Sequence, residues 1–230
     1  AAGAFREKLF EMQPEAKDMP EIGMIEKGDV TVENLLAQKP DVVIMTLDQK
    51  KAVEESGFLS DMDAAGLKYA FIDFRQKPLE NTTVSMQLLG DLLGQSERAE
   101  EYNEFYNAKV KEITDRVAET TDRPDVLIWM AAGFNDCCAV AGDANLGTLV
   151  TAAGGHNLGP EVLGADSTTI TAEKLIELNP DKLIVTGGEW ARDPNRTDAV
   201  RHVELGYQSS PELALQTCDG PLNQAGMDQL

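Results

Sequence analysis

The chain has 230 residues, 42% apolar and 26% charged, enough for one large buried core or two modest ones. Its 40 acidic residues against 20 basic ones give a net charge of −20, the wrong sign for a nucleic-acid partner. Two histidines and three cysteines are too few for a multi-histidine metal cage or a disulfide scaffold, and no apolar run approaches the ~20 residues of a membrane span.

The chain opens Ala1-Ala2-Gly3-Ala4. This has no signal-peptide character and reads as the start of a trimmed piece, so a missing export signal carries no weight. Ile22 to Ile25 is the first strand candidate. Thr31 then caps a short helix whose first turn holds Glu33, where the helix dipole favours a carboxylate. Pro40 is expected to stop that helix, and Val42 to Thr46 follows as a strand apolar enough for burial on both faces. Another strand is expected over Tyr69 to Asp73.

Thr82 to Leu93 reads as a helix ended by Gly94. Ser96 caps a longer one, in which Ala99, Tyr102, Phe105, Tyr106, Val110, Ile113 and Val117 recur at three- and four-residue steps. From 96 to about 120 that rod would reach roughly 37 Å, at ~1.5 Å per residue. Arg123-Pro124 closes it, and Val126 to Met130 is the next strand. Ala153-Gly154-Gly155 suggests a tight turn. After Tyr207 the chain passes through Ser209-Ser210-Pro211 into a short helical stretch and a tail.

One unit occurs twice. Thr31 to Thr46 aligns without a gap on Thr171 to Thr186, at an offset of 140, with seven of sixteen positions identical. Each copy runs capping Thr, first-turn Glu, Pro-Asp and a short apolar strand, ending in Leu183 to Thr186 for the second copy. A helix-to-parallel-strand unit recurring so far apart indicates two similar α/β lobes and not a repeat array.

In open α/β sheets ligands bind beyond the carboxyl ends of the strands. That nominates Thr46, Leu47 and Asp48, and Asp73, Phe74 and Arg75, in the first lobe; in the second it nominates Ala132 to Asp136 and Gly187 to Trp190. Within these, Thr46, Asp48, Arg75, Phe134, Asn135, Gly188 and Trp190 are the candidate ligand contacts. Arg75 suits carboxylates and oxygen-rich chelates, with a surface ion pair as the alternative. Phe134 and Trp190 suit stacking on a flat ligand, with strand-end packing as the alternative. Cys137, Cys138 and Cys218 are either buried thiols or a structural bridge, or else a pair facing ligand or metal. Their pairing stays open. No phosphate loop, nucleophile elbow or singled-out acid/base pair is present, so no enzymatic activity is expected.

The pattern resembles the periplasmic binding proteins for ferric siderophores, haem and cobalamin. The matching pieces are Val32-Glu33-Asn34-Leu35-Leu36 with Lys39-Pro40-Asp41-Val42-Val43-Ile44, then Leu89-Gly90, Leu93-Gly94 and Glu97-Arg98-Ala99, then Ala152 to Asn157. Ala172-Glu173-Lys174-Leu175 with Asn179-Pro180-Asp181 and Thr186-Gly187-Gly188 completes the set. The resemblance implies two Rossmann-like lobes bridged by one rigid helix: an N-terminal lobe over 1–80, a helical connector over 81–122 with the backbone helix at 96–120, and a C-terminal lobe over 123–230. The family's opening strand and loop and its last strand and helices are not evident, so truncation at both ends is expected. The implied function is that of an extracytoplasmic solute-binding protein, periplasmic or membrane-anchored, for an ABC importer. It would be a monomer that captures a ferric siderophore or related metal chelate and needs no cofactor or resident metal. In the family one glutamate per lobe docks on the permease, and Glu33 and Glu173 fall on that motif; a helix-terminal carboxylate is the alternative. An oxyanion such as molybdate, or an α/β metallocofactor enzyme supported only by Cys137-Cys138, are the other readings.

Overall fold

A computed structural model describes residues 6–23, 25–133, 137–163, 168–187, 203 and 210–224. It divides the chain into two compact units, one over Glu15–Glu112 and the other over Ala1–Pro14, which holds helix α1 (Arg6–Met12), with Ile113–Leu230.

In the Glu15–Glu112 unit, helix α2 (Val32–Gln38) leads into strand β1 (Val43–Thr46), and helices α3 (Lys50–Glu55) and α4 (Phe58–Ala64) lead into strand β2 (Tyr69–Ile72). The strands pair in parallel, Val43 opposite Tyr69 and Thr46 opposite Ile72. Leu35, Met45, Val53, Leu59, Met62 and Leu67 form the core. Ile22 to Ile25 is not a strand: Gly23 has φ +91° and Ile25–Lys27 is a 3-10 turn. A left-handed glycine inside so short a run breaks the extended path that its apolar residues suggest.

Helix α5 (Pro78–Leu92) begins four residues before the expected Thr82. Pro78 occupies its first turn, where a missing N–H costs nothing. The end is as expected. Gly94 is left-handed, and the Gln95 N–H returns to the Gly90 carbonyl at 2.7 Å, while Gly94 N–H reaches Asp91 O at 3.4 Å; this pairing is the Schellman cap. Helix α6 (Ser96–Ala118) is 23 residues long, or about 35 Å. Its expected apolar face is mostly not core: Ala99 is buried, but Phe105 is 61% and Ile113 47% exposed.

In the other unit, strand β3 (Asp125–Met130) is central. Strand β6 (Lys182–Val185) lies parallel along one side of it, from Val126–Lys182 to Trp129–Val185. The other side is shared by β5 (His156–Asn157), parallel at its start, and β4 (Ala139–Val140), antiparallel at its end. Leu127 and Trp129 face one apolar cluster and Val126 and Ile128 another, so β3 is the strand buried on both faces. The expectation of two-faced burial for the repeated strands is corrected. Ile44 is 37% and Ile184 44% exposed, because β1 and β6 each have one strand neighbour among the described residues.

Helices α7 (Leu146–Ala152), α8 (Gly159–Val162), α9 (Ala172–Leu178) and α10 (Pro211–Gln224) surround this sheet. Gly154, left-handed at φ +87°, closes α7 with the same cap as α5: Gly155 N–H meets Val150 O at 3.0 Å and Gly154 N–H meets Thr151 O at 3.1 Å. Asn157 is buried and clasps two neighbouring stretches of chain. Its Nδ2 donates to Ala141 O (3.3 Å) and Gly142 O (2.9 Å), and its Oδ1 accepts from Gly159 N (3.2 Å). Main chain approaches main chain so closely there that a Cβ on Gly147 would lie 1.9 Å from Gly142 O, and one on Gly159 1.9 Å from Ala141 O. No helix of the described residues is long and apolar enough to cross a membrane.

Candidate functional site

The repeated unit folds the same way twice. Thr31 Oγ1 accepts from Asn34 N at 3.1 Å and Thr171 Oγ1 from Lys174 N at 3.2 Å, each capping its helix. Each helix ends in a left-handed residue, Lys39 (φ 51°) and Asn179 (φ 43°). That residue, and not the proline that follows it, is the stop. Burial repeats as well: Leu35 and Leu175 are 3% and 0% exposed, Leu36 and Ile176 44% and 40%. Glu33 and Glu173 are both exposed in the first turn. The Glu173 carboxyl is held below the usual carboxylate range by its own backbone N–H and by the Thr171 hydroxyl.

Because β1 and β2 align at Thr46 and Ile72, the segments leaving them start from one edge of the sheet. Thr46 is exposed and leads into a 3-10 turn, Leu47–Gln49, that carries Asp48. Asp73 is buried at the end of β2, Phe74 is 40% exposed, and Arg75 Nη1 stands 3.9 Å from Asp48 Oδ2. The structure thus brings Arg75 and Asp48 together, from two different strands. At that distance, with the Arg75 side chain 74% exposed, the pair is weak and open to exchange. A cavity of about 280 Å³ runs along β1 from Thr46 to Ile22, lined by Leu35, Met45 and Phe58.

In the other unit the ends of β3 and β6 are tied by main chain. Ala131 is left-handed (φ 50°), and its N–H donates to Thr186 Oγ1 at 3.0 Å. Ala132 N–H donates to Thr186 O at 3.0 Å, and Val203 N–H to Ala132 O at 2.9 Å. Thr186 is the repeat partner of Thr46, and this tie was not foreseen; a β-branched hydroxyl at a strand end was its only signal. Phe134, Asn135, Gly188 and Trp190, the contacts expected at this edge, lie outside the described residues. Cys137 and Cys138 are disulfide-bonded to each other, and Cys218 is a free thiol whose pKa is pushed up by burial and by Asp219.

The opposite edge of this sheet holds an arrangement the sequence did not reveal. His156 Nδ1 is 2.7 Å from Asp125 Oδ1, and Nε2 is 2.9 Å from Glu161 Oε1. Both ring nitrogens can donate only in the imidazolium, so Asp125 above all, and Glu161, raise the His156 pKa. His156 and Glu161 line an open hollow of about 500 Å³ with Arg123, Asp143 and Thr151. It lies at the starts of β3 and β5, away from the edge where this architecture binds ligands.

The sequence model for the periplasmic binding proteins matches residues 10–205. The chain belongs to the periplasmic binding protein family. Its fold is the two-lobed α/β fold of that family. It is similar to the TroA-like periplasmic binding protein FepB from Veillonella parvula, with 26% identity and a TM-score of 0.78 over 95% of this chain and 61% of that one. It is also similar to Staphylococcus aureus IsdE complexed with haem, at 28% identity and a TM-score of 0.54, covering 76% of this chain and 64% of that one. A curated relative is the uncharacterized ABC transporter substrate-binding lipoprotein YvrC of Bacillus subtilis (strain 168), 20% identical over 221 residues, 93% of this chain and 68% of the relative. The chain therefore spans about 61% of the length of the Veillonella binding protein. The family and these relatives are binding proteins, not enzymes.

Proposed function

We propose that this periplasmic binding protein is the extracytoplasmic solute-binding component of an ABC importer and carries a ferric siderophore or related metal chelate such as haem or cobalamin. The reading takes 1–80 and 123–230 as lobes, 81–122 as the connector, and the strand ends of both lobes as the ligand site. Thr46, Asp48 and Arg75 would contribute from one lobe; Phe134, Asn135, Gly188 and Trp190 would contribute from the other. Glu33 and Glu173 would dock on the permease, and the carrier would act as a monomer.

One observation carries the ligand reading. An exposed guanidinium and an exposed carboxylate from neighbouring parallel strands meet loosely at the carboxyl edge of a sheet. There an anionic chelate can take over the Arg75 fork with bidentate hydrogen bonds. The haem in the IsdE complex supports a flat, anionic metal chelate as the ligand class.

The test is a titration of the purified protein with haem, cobalamin, a ferric tris-catecholate, a ferric hydroxamate and molybdate, followed by intrinsic fluorescence and calorimetry. Saturation at one chelate per chain, weakened by Arg75→Ala, is the expected result. Saturation by molybdate, with none by the chelates, would replace the chelate reading by an oxyanion carrier.

A further inference from the structure

The loop after β2 is held by a single side chain. Asp73 is 4% exposed. Its Oδ1 accepts from the N–H groups of Arg75 (2.9 Å) and Gln76 (2.7 Å), and its Oδ2 from Lys77 N (3.0 Å) and Asn81 Nδ2 (2.8 Å). Its own N–H donates to Ser85 Oγ at 2.8 Å, and that hydroxyl donates back to the Asp73 carbonyl at 3.2 Å. Burial opposes ionisation here, but the Asn81 amide and the three main-chain donors outweigh it and hold the carboxyl at about 2.

Anchoring α5 alone would need less. Two of the four carboxylate bonds go to Arg75 and Gln76, which precede the helix and have no helical partners to replace. These bonds fix the shape of the loop itself. They also satisfy Asp73 with neutral N–H groups, so the buried anion does not draw the Arg75 guanidinium inward. The guanidinium stays 74% exposed, with Asp48 Oδ2 at 3.9 Å.

We infer that Asp73 is the positioning residue of this edge: by fixing residues 74–77 it presents the Arg75 guanidinium, beside Asp48, to an anionic group of the ligand. The inference rests on the reading of this edge as a ligand site. Preorganisation of this kind lowers the ordering cost of binding and not the strength of the contact itself. Asp73 therefore acts only through Arg75, and that is a measurable property.

The experiment is a double-mutant cycle of Asp73→Asn and Arg75→Ala on the full chain, with haem and a ferric tris-catecholate as probes and amide hydrogen exchange as the second readout. Asp73→Asn keeps one acceptor oxygen, and Asn81→Ala is a milder variant that removes a single donor to the same carboxylate. Asp73→Asn should weaken the anionic probe about tenfold in the wild-type background and by less than about twofold in Arg75→Ala. Exchange at Arg75, Gln76 and Lys77 should rise while that of the β1 amides stays unchanged, and Asn81→Ala should move both readouts the same way by less. Equal loss in both backgrounds, or unchanged affinity with unchanged exchange, overturns the role of Asp73 while leaving the ligand edge standing. Wild-type protein that binds neither probe removes the ligand edge, and the role of Asp73 with it.

Discussion

Lys39 and Asn179 sit at the same point of the two repeated units and adopt the same left-handed backbone, at φ 51° and 43°. Their side chains are not equivalent there. Asparagine tolerates that region, whereas an ordinary L-residue in it pays about 1–2 kcal/mol. Lys39→Gly should therefore stabilise the Glu15–Glu112 unit by roughly 0.5–1 kcal/mol, after allowing for glycine's larger entropy loss. Asn179→Gly should gain less. Urea unfolding at neutral pH measures both, and a gain at 179 equal to or above that at 39 would refute the argument. The same residues show what sequence can and cannot give. Thr31, Glu33, Pro40 and their partners at 171, 173 and 180 predicted the helix, its cap and the following strand. The stop at Lys39 was hidden, because a lysine carries no signal for left-handed backbone, whereas Asn179 carried one that the neighbouring proline overshadowed.

At the scale of elements, the strand ends were legible and the short strands were not. Thr46, Asp48 and Arg75 follow from the rule for parallel sheets, because each stands just past an apolar run that reads as a strand. β4 and β5 have two residues each, too few for any periodicity, so the pairing of His156 with Asp125 could not be anticipated. That pairing has a pH signature. The His156 pKa is raised in the folded protein above its ordinary 6.5. Its stabilising contribution is therefore complete below about 6.5, and is lost as pH rises through the folded value. Thermal unfolding should show the melting temperature declining from pH 6 to pH 8.5, and His156→Gln should remove that part of the decline. An unchanged profile in the variant would show that the two contacts at β3 and α8 contribute nothing.

At the scale of the whole molecule, the docking proposal rests on the doubled unit. The paired glutamates are exposed at equivalent first turns, each followed one turn later by an exposed apolar residue, Leu36 or Ile176. On the docking reading, Glu33→Arg and Glu173→Arg should each reduce uptake by cells about tenfold or more, with ligand affinity unchanged within about twofold, since charge reversal there acts on partner recognition. Uptake that survives both changes would leave the two carboxylates as helix-terminal charges. The clasp around Asn157 sets a limit of a different kind. At Gly147 and Gly159 the space beside the α-carbon is already filled by another stretch of main chain, so no repacking of neighbours can admit even a methyl group. These two positions therefore act as keystones: any side chain there must push apart two stretches of main chain that the rest of the unit is built around.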